Sequence, residues 1–390
     1  MSEDWRVLGS QLSAWYDASS QTAGAALVGR IAELSRDGLP LIELRDRGVR
    51  VRVADPERAE GISTAARELG LTADPSALQE LHLGIEAVDR TAVSKLWHGV
   101  LGYDRNADSL VDPLRRDPTF SFGPLDEPRP LRNRIHVDVV RPSTLAAARE
   151  TAAAAGGREE LASDYHCRIA DVEGNEVDVV GGDVAETASD WQLLFGGMTF
   201  YPTTSPAQAV ELATAVAGLV DESGMPLLVD LRPDGVIIDT GKDLWEEDER
   251  FADLAVRVQA AAHGLGLTAD PARLRFVQFG LDAVDVPAIR SFWQNLLGYE
   301  PDGRPHVTDI TDPRRLNPVL FFQQMEATDE DRRRQRNRLR LELYVAPDHA
   351  QSRIDATLTA GGRIIDQPTP NRTTLTDPEN NHFDLITTTP

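Results

Sequence analysis

"LHLGIEAVD" spans residues 81–89, and "VQFGLDAVD" spans residues 277–285. The two stretches match apolar for apolar and acid for acid. One position changes chemistry: His82 in the first is Gln278 in the second. Polar and apolar residues alternate with the period of a strand, whose side chains point to opposite faces in turn. Leu81, Leu83, Ile85 and Ala87 form a greasy face that packs on helices. His82, Gly84, Glu86 and Val88 form the other.

Outward from this strand the likeness continues. "GLTADPSALQELHLGIEAVDRTAVSKLWHGVLGYD" begins at Gly70 and "GLTADPARLRFVQFGLDAVDVPAIRSFWQNLLGYE" at Gly266. "RNRIHVDVV" (132–140) echoes "RNRLRLELY" (336–344), and "DVEGNEVDVV" (171–180) echoes "DPENNHFDLI" (377–386). Upstream, "DGLPLIELRDRGVRVRV" (37–53) echoes "SGMPLLVDLRPDGVIID" (223–239). Matches in the same order throughout mark a tandem duplication. Each half reads as a small α+β unit followed by a larger one. In the larger unit "RTAVSKLWHGVL" is a helix stopped by Gly102, and the strand–helix–three-strand pattern occurs twice. The run 181–190 separates the halves.

The chain has 390 residues, enough for several cores, with 41% hydrophobic and 26% charged residues. Its net charge of −23 repels phosphate backbones, which argues against nucleic-acid and anionic-membrane partners. The single cysteine, Cys167, rules out an intrachain disulfide and a cysteine-based zinc site, and reads as a buried, inert thiol. "MSEDWRVLGS" lacks the basic and apolar regions of a signal peptide, and no run approaches the ~18 apolar residues of a membrane span. The expected location is the cytoplasm. Trp97, Trp293, Tyr103 and Tyr299 recur at matched sites and read as core, while 329–338 reads as a solvated charged loop.

The same alternation places His136, Asp138 and Val140 on one face of "RIHVDVV", and Glu176, Asp178 and Val180 on one face of "NEVDVV". If these faces converge with that of His82, they line a polar cup. In the second copy the corresponding faces carry Gln278 and Asp282, then Arg340, Glu342 and Tyr344, then His382 and Asp384. His136 has become Arg340, a fixed cation that pairs with carboxylates rather than metals.

These motifs, in this order over about 77–183 and 271–390, resemble the vicinal oxygen chelate superfamily of glyoxalases, bleomycin-resistance proteins and extradiol dioxygenases. The likeness is greatest to a glyoxalase-like branch typical of actinobacteria. The resemblance implies an α+β fold with paired βαβββ modules in half-open barrels. It also places candidate metal ligands at His82, His136 and Asp178, a set that suits Fe, Mn, Zn or Ni. Glu86 or Asp138 would then be the general base. The implied activity is metal-assisted lyase, isomerase or dioxygenase chemistry on a small organic substrate in the first barrel. The alternative is a non-catalytic small-molecule or antibiotic-sequestering binder. In that reading His82 and His136 are hydrogen-bonded strand residues, and Gln278, Arg340, Glu342, Tyr344 and Asp384 orient a ligand in the second cup. A homodimer is also implied.

The smaller segments resemble pterin-4a-carbinolamine dehydratase. At the positions of that enzyme's His-His-Pro motif, however, the chain has Gly38-Leu39-Pro40 and Gly224-Met225-Pro226. Without those imidazoles, dehydration lacks its general acid and base, so packing, dimerisation or closure over a pocket is the expected role. The expected domains are 1–76 and 184–270, dehydratase-like, and 77–183 and 271–390, glyoxalase-like.

Overall fold

The computed structural model describes residues 3–35, 38–125 and 127–388. The four expected segments come together in two compact units. One ends at Leu78 and resumes over Gly182–Leu274; the other takes Gln79–Gly181 and the chain from Arg275 onward.

In the first unit both small segments contribute to one ten-stranded sheet, joined where Leu41–Arg45 pairs antiparallel with Leu228–Arg232. Gln21–Leu34, Pro56–Glu68, Pro206–Ser223 and Arg250–Gly264 are its long helices. Ser20, Asp55 and Ser205 cap the first three through their side-chain oxygens, whereas the fourth starts at Glu249 without a side-chain cap. Val28, Ile31, Val49, Leu212, Val216 and Leu231 belong to their shared core. On alternate strand positions Glu43 is buried among Arg50, Arg52 and Arg232 at 2.9, 2.6 and 3.0 Å. Burial opposes its charge, but the three guanidinium groups hold its carboxyl well below the usual range.

The second unit has two eight-stranded sheets, and each takes four strands from each copy. The first runs Arg158–Ala162, His166–Ala170, Glu176–Gly181, Ile135–Arg141, Phe276–Ala283, Leu320–Gln324, Ile310–Thr311, Glu300–Pro301. The second runs Arg363–Thr369, Arg372–Thr376, His382–Thr387, Leu339–Val345, Gln79–Ala87, Phe120–Pro124, Ser109–Val111, Asp104–Asn106. So the copies do not form one barrel each. Each sheet joins the latter half of one copy to the first half of the other.

The expected faces appear. Leu81, Leu83, Ile85, Val137, Val177, Phe279 and Leu341 enter a shared core, with Trp97 and Trp293 fully buried. Helices Arg90–Leu101 and Val286–Leu297 start at Asp89 and Asp285, which accept from Ala92 N and Ala288 N. They stop at Gly102 and Gly298, with φ of 64° and 67°, a region that only glycine enters freely. Cys167 is buried, and burial pushes its thiol up to about 11. The charged run 329–338 is not simply solvated. Arg332 is buried and donates to the carbonyls of Arg132 and Asn133 and to Asp282, because a guanidinium fork can satisfy several acceptors at once. Among the described residues no helix is long and apolar enough to cross a membrane.

Candidate functional site

The pairing across copies decides which side chains meet. In one sheet Ile135–Arg141 lies antiparallel to Phe276–Ala283, setting His136 opposite Gly280 and Asp138 opposite Gln278. On its other side it runs parallel to Glu176–Gly181, with Asp138 beside Asp178. In the other sheet Leu339–Val345 lies antiparallel to Gln79–Ala87, setting Glu342 opposite His82 and Arg340 opposite Gly84. His82 is therefore not brought to His136 and Asp178, and the expected three ligands do not assemble in one cup. Glu86 goes with His82, Arg340, Glu342, Tyr344 and Asp384, while Gln278 leaves that group and joins Asp138.

One cup is built around His136. His136 is 1% exposed, and neither ring nitrogen has a hydrogen-bond partner among the described residues. Its ring stands over Gly280, where a Cβ would lie 2.4 Å from it, and meets Phe321 edge-on at 5.4 Å. Burial pushes its pKa down to about 4, so at neutral pH it is an uncharged imidazole with a lone pair to give. Asp138 accepts from Gln278 Nε2 at 2.8 Å and lies 4.0 Å from His136 Nε2. Asp178 is gripped by Arg168 through Nε at 3.1 Å and Nη2 at 3.3 Å. Around them Glu176 pairs with Arg132 at 2.6 Å, and Asp282 with Arg132 at 3.4 Å and with Arg332.

His136, Asp138 and Asp178 each offer a donor atom, all within 4.8 Å of one another. The set fits a divalent cation: an unpartnered buried imidazole beside two carboxylates, with the Gln278 carbonyl oxygen also unpartnered. It has one histidine and two carboxylates rather than the two histidines and one carboxylate expected. Arg168 escaped the sequence reading. Its alternation with Ala170 and His166 on "HCRIA" was the available signal, but nothing local says that it faces Asp178.

The His82 cup is saturated instead. Glu86 receives Arg129, Arg336 and Arg340 at 2.6, 2.5 and 2.6 Å. Asp384 holds Arg340 at 2.8 Å, Arg372, and Thr374 Oγ1 at 2.6 Å. Glu342 takes Ser121 Oγ at 3.1 Å and Arg372 at 3.3 Å. His82 Nδ1 accepts from Thr119 N at 3.0 Å, which leaves Nε2–H to meet Glu80 at 3.3 Å. Its ring meets Tyr344 edge-on at 5.2 Å. His82 is thus a hydrogen-bonded strand histidine. Arg340 pairs with carboxylates, as its chemistry dictates.

The family comparison finds the same duplication. The model of the family described as "Glyoxalase-like domain" matches residues 82–180 and 278–386, more than half of the chain. Glyoxalase I from Zea mays is 11% identical, over 80% of this chain and 92% of that one, with a TM-score of 0.42. A point mutant of the same enzyme is 10% identical, over 79% of this chain and 94% of that one, with a TM-score of 0.44. No curated protein matches. By the extent of the family match, the chain belongs to the glyoxalase-like domain family, within the vicinal oxygen chelate superfamily.

Proposed function

We propose that the His136 cup holds one divalent metal ion and transforms a small organic substrate bearing adjacent oxygens. The observation that carries this reading is His136: a fully buried imidazole with both nitrogens unpartnered, beside Asp138 and Asp178. Leaving such a group unmatched is costly unless something binds it. Imidazole with carboxylates suits Mn, Fe or Zn. When bound, the ion polarises a substrate oxygen as a Lewis acid.

The chain's own residues do the rest. Gln278 donates to one oxygen of Asp138 and so fixes the plane of its carboxylate. Arg168 holds Asp178 against the strand and balances its charge. Asp138 is the carboxylate nearest the imidazole, and takes the base role when His136 and Asp178 make the first contacts. Glu86 is not proposed as base, since three guanidinium groups occupy its oxygens in the other cup.

A second reading fits the His82 cup. Its acids are neutralised, and the Tyr344 hydroxyl and His382 ring have no hydrogen bond among the described residues, so it suits ligand binding without a metal. The ten-stranded unit is proposed to serve packing rather than dehydration.

Metal analysis of chain purified without chelator tests the main reading. Near one equivalent per chain is expected, with binding lost on His136→Ala and on Asp178→Ala. Sub-stoichiometric metal, together with a melting temperature unmoved by added Mn, Fe, Zn or Ni, would leave only the binder.

A further inference from the structure

The strands that carry Asp138 and Asp178 have a second side. There Val100, Val139, Ala148 and Val179 wall a small open pocket, which Arg141 and Ser143 line with polar groups. The Arg141 guanidinium is half-buried against Gly102, where a Cβ would lie 2.8 Å from Nη1 and 3.0 Å from Nη2. Among the described residues no hydrogen bond, ion pair or ring contact engages that guanidinium, and the Ser143 hydroxyl likewise has no partner. The charge that acts on Arg141 is Arg275, another cation, itself paired with Asp112.

The second copy shows what a satisfied version of this corner looks like. Aligned on "RNR" at 132–134 and 336–338, Arg141 corresponds to Val345. Aligned on "AGG" at 155–157 and 360–362, Ala148 corresponds to Arg353. Arg353 reaches from its helix to the Leu296 carbonyl and to Gln79 Oε1, the latter at 3.0 Å. Here, then, a cation fills the corner and donates to two acceptors. In the first copy the helix residue is Ala148, which leaves the space open. The cation sits on the strand instead, and no acceptor among the described residues receives its N–H groups. That guanidinium and the Ser143 hydroxyl are reached by solvent through the open pocket, and so are available to an incoming anion.

We propose that this pocket is a binding site for a small carboxylate with a short aliphatic body. The carboxylate takes the fork of Arg141 and the Ser143 hydroxyl, a pairing that guanidinium geometry favours. The aliphatic body lies against Val100, Val139, Ala148 and Val179. The pocket's lining does not include His136, Asp138 or Asp178; it lies mainly on the opposite face of the same two strands, with Val180 at their end, and does not depend on a metal being there.

Calorimetry and thermal melting of the full chain with acetate, butyrate, hexanoate, hexanamide and inorganic phosphate test this. Hexanoate is expected to bind and raise Tm, with hexanamide and phosphate at least about tenfold weaker. Arg141→Gln should weaken hexanoate by about tenfold or more while melting like wild type without ligand. Ala148→Leu, which fills the apolar end and keeps the cation, should lose hexanoate and retain acetate. Equal binding of hexanamide, preference for phosphate, undiminished hexanoate binding in both variants, or no binding of any carboxylate would overturn the proposal.

Discussion

His82 and Gln278 hold the same place in the two copies, and their neighbours give them different work. His82 is hydrogen-bonded at both nitrogens, whereas Gln278 orients the carboxylate beside an unpartnered histidine. The alternation of single residues was legible, because a strand cannot hide which side chains share a face. What each polar residue would touch was not, since that depends on strands far away in sequence. His382 shows the energetic side of this. Burial, and after it the charge of Arg336, push its pKa from 6.5 down to about 4. The folded-state value lies below the unfolded one. Between pH 6.5 and about 4 the unfolded chain therefore binds protons that the fold refuses, and stability falls as pH falls through that window. With its partial exposure discounted, the loss is about 1–2 kcal/mol. Urea unfolding of chelated protein at pH 7 and pH 4 should show a smaller loss for His382→Gln than for wild type. An equal loss would mean that His382 is not held neutral.

At the scale of elements, the most repeated device is the turn before the last strand of each copy. Asp171 accepts from Glu173 N, Asn175 N, Asn175 Nδ2 and Trp97 Nε1. Asp377 does the same with Glu379 N, Asn381 N, Asn381 Nδ2 and Trp293 Nε1. Glu173 and Glu379 in turn cap the backbone ahead of the helices that carry those tryptophans. The sequence match of "DVEGNEVDVV" and "DPENNHFDLI" pointed to these turns, but not to the indole they hold. Asp377→Ala would strand several buried donors, and a cost of about 3 kcal/mol or more is expected in denaturant unfolding. A change below about 0.5 kcal/mol would show that the turn does not anchor Trp293. The misread run 329–338 has a related cause. Composition treats arginine as a solvated charge, but carbonyls freed where the copies cross give Arg332 a reason to be buried.

At the scale of the whole molecule, the duplication and the α+β class were legible, and the way the copies interleave was not. Equivalent strands in the two copies present equivalent edges, so nothing local decides whether Ile135–Arg141 pairs within its copy or with Phe276–Ala283. The consequence is testable. Residues 1–181 alone would leave both Ile135–Arg141 and Gln79–Ala87 with open edges. Light scattering on that fragment should find a dimer or larger species, in which two fragments satisfy each other's edges. A stable folded monomer would argue against the crossed pairing. The central claim is that the metal-competent cup is His136, Asp138 and Asp178 with Gln278, and that His82 lies outside it. The most direct measurement is metal stoichiometry and affinity across His82→Gln, His136→Gln and Gln278→His. The expected result is metal retained in His82→Gln, affinity reduced by more than about a hundredfold in His136→Gln, and tighter binding in Gln278→His, which adds an imidazole beside Asp138. Metal lost in His82→Gln and kept in His136→Gln would contradict it.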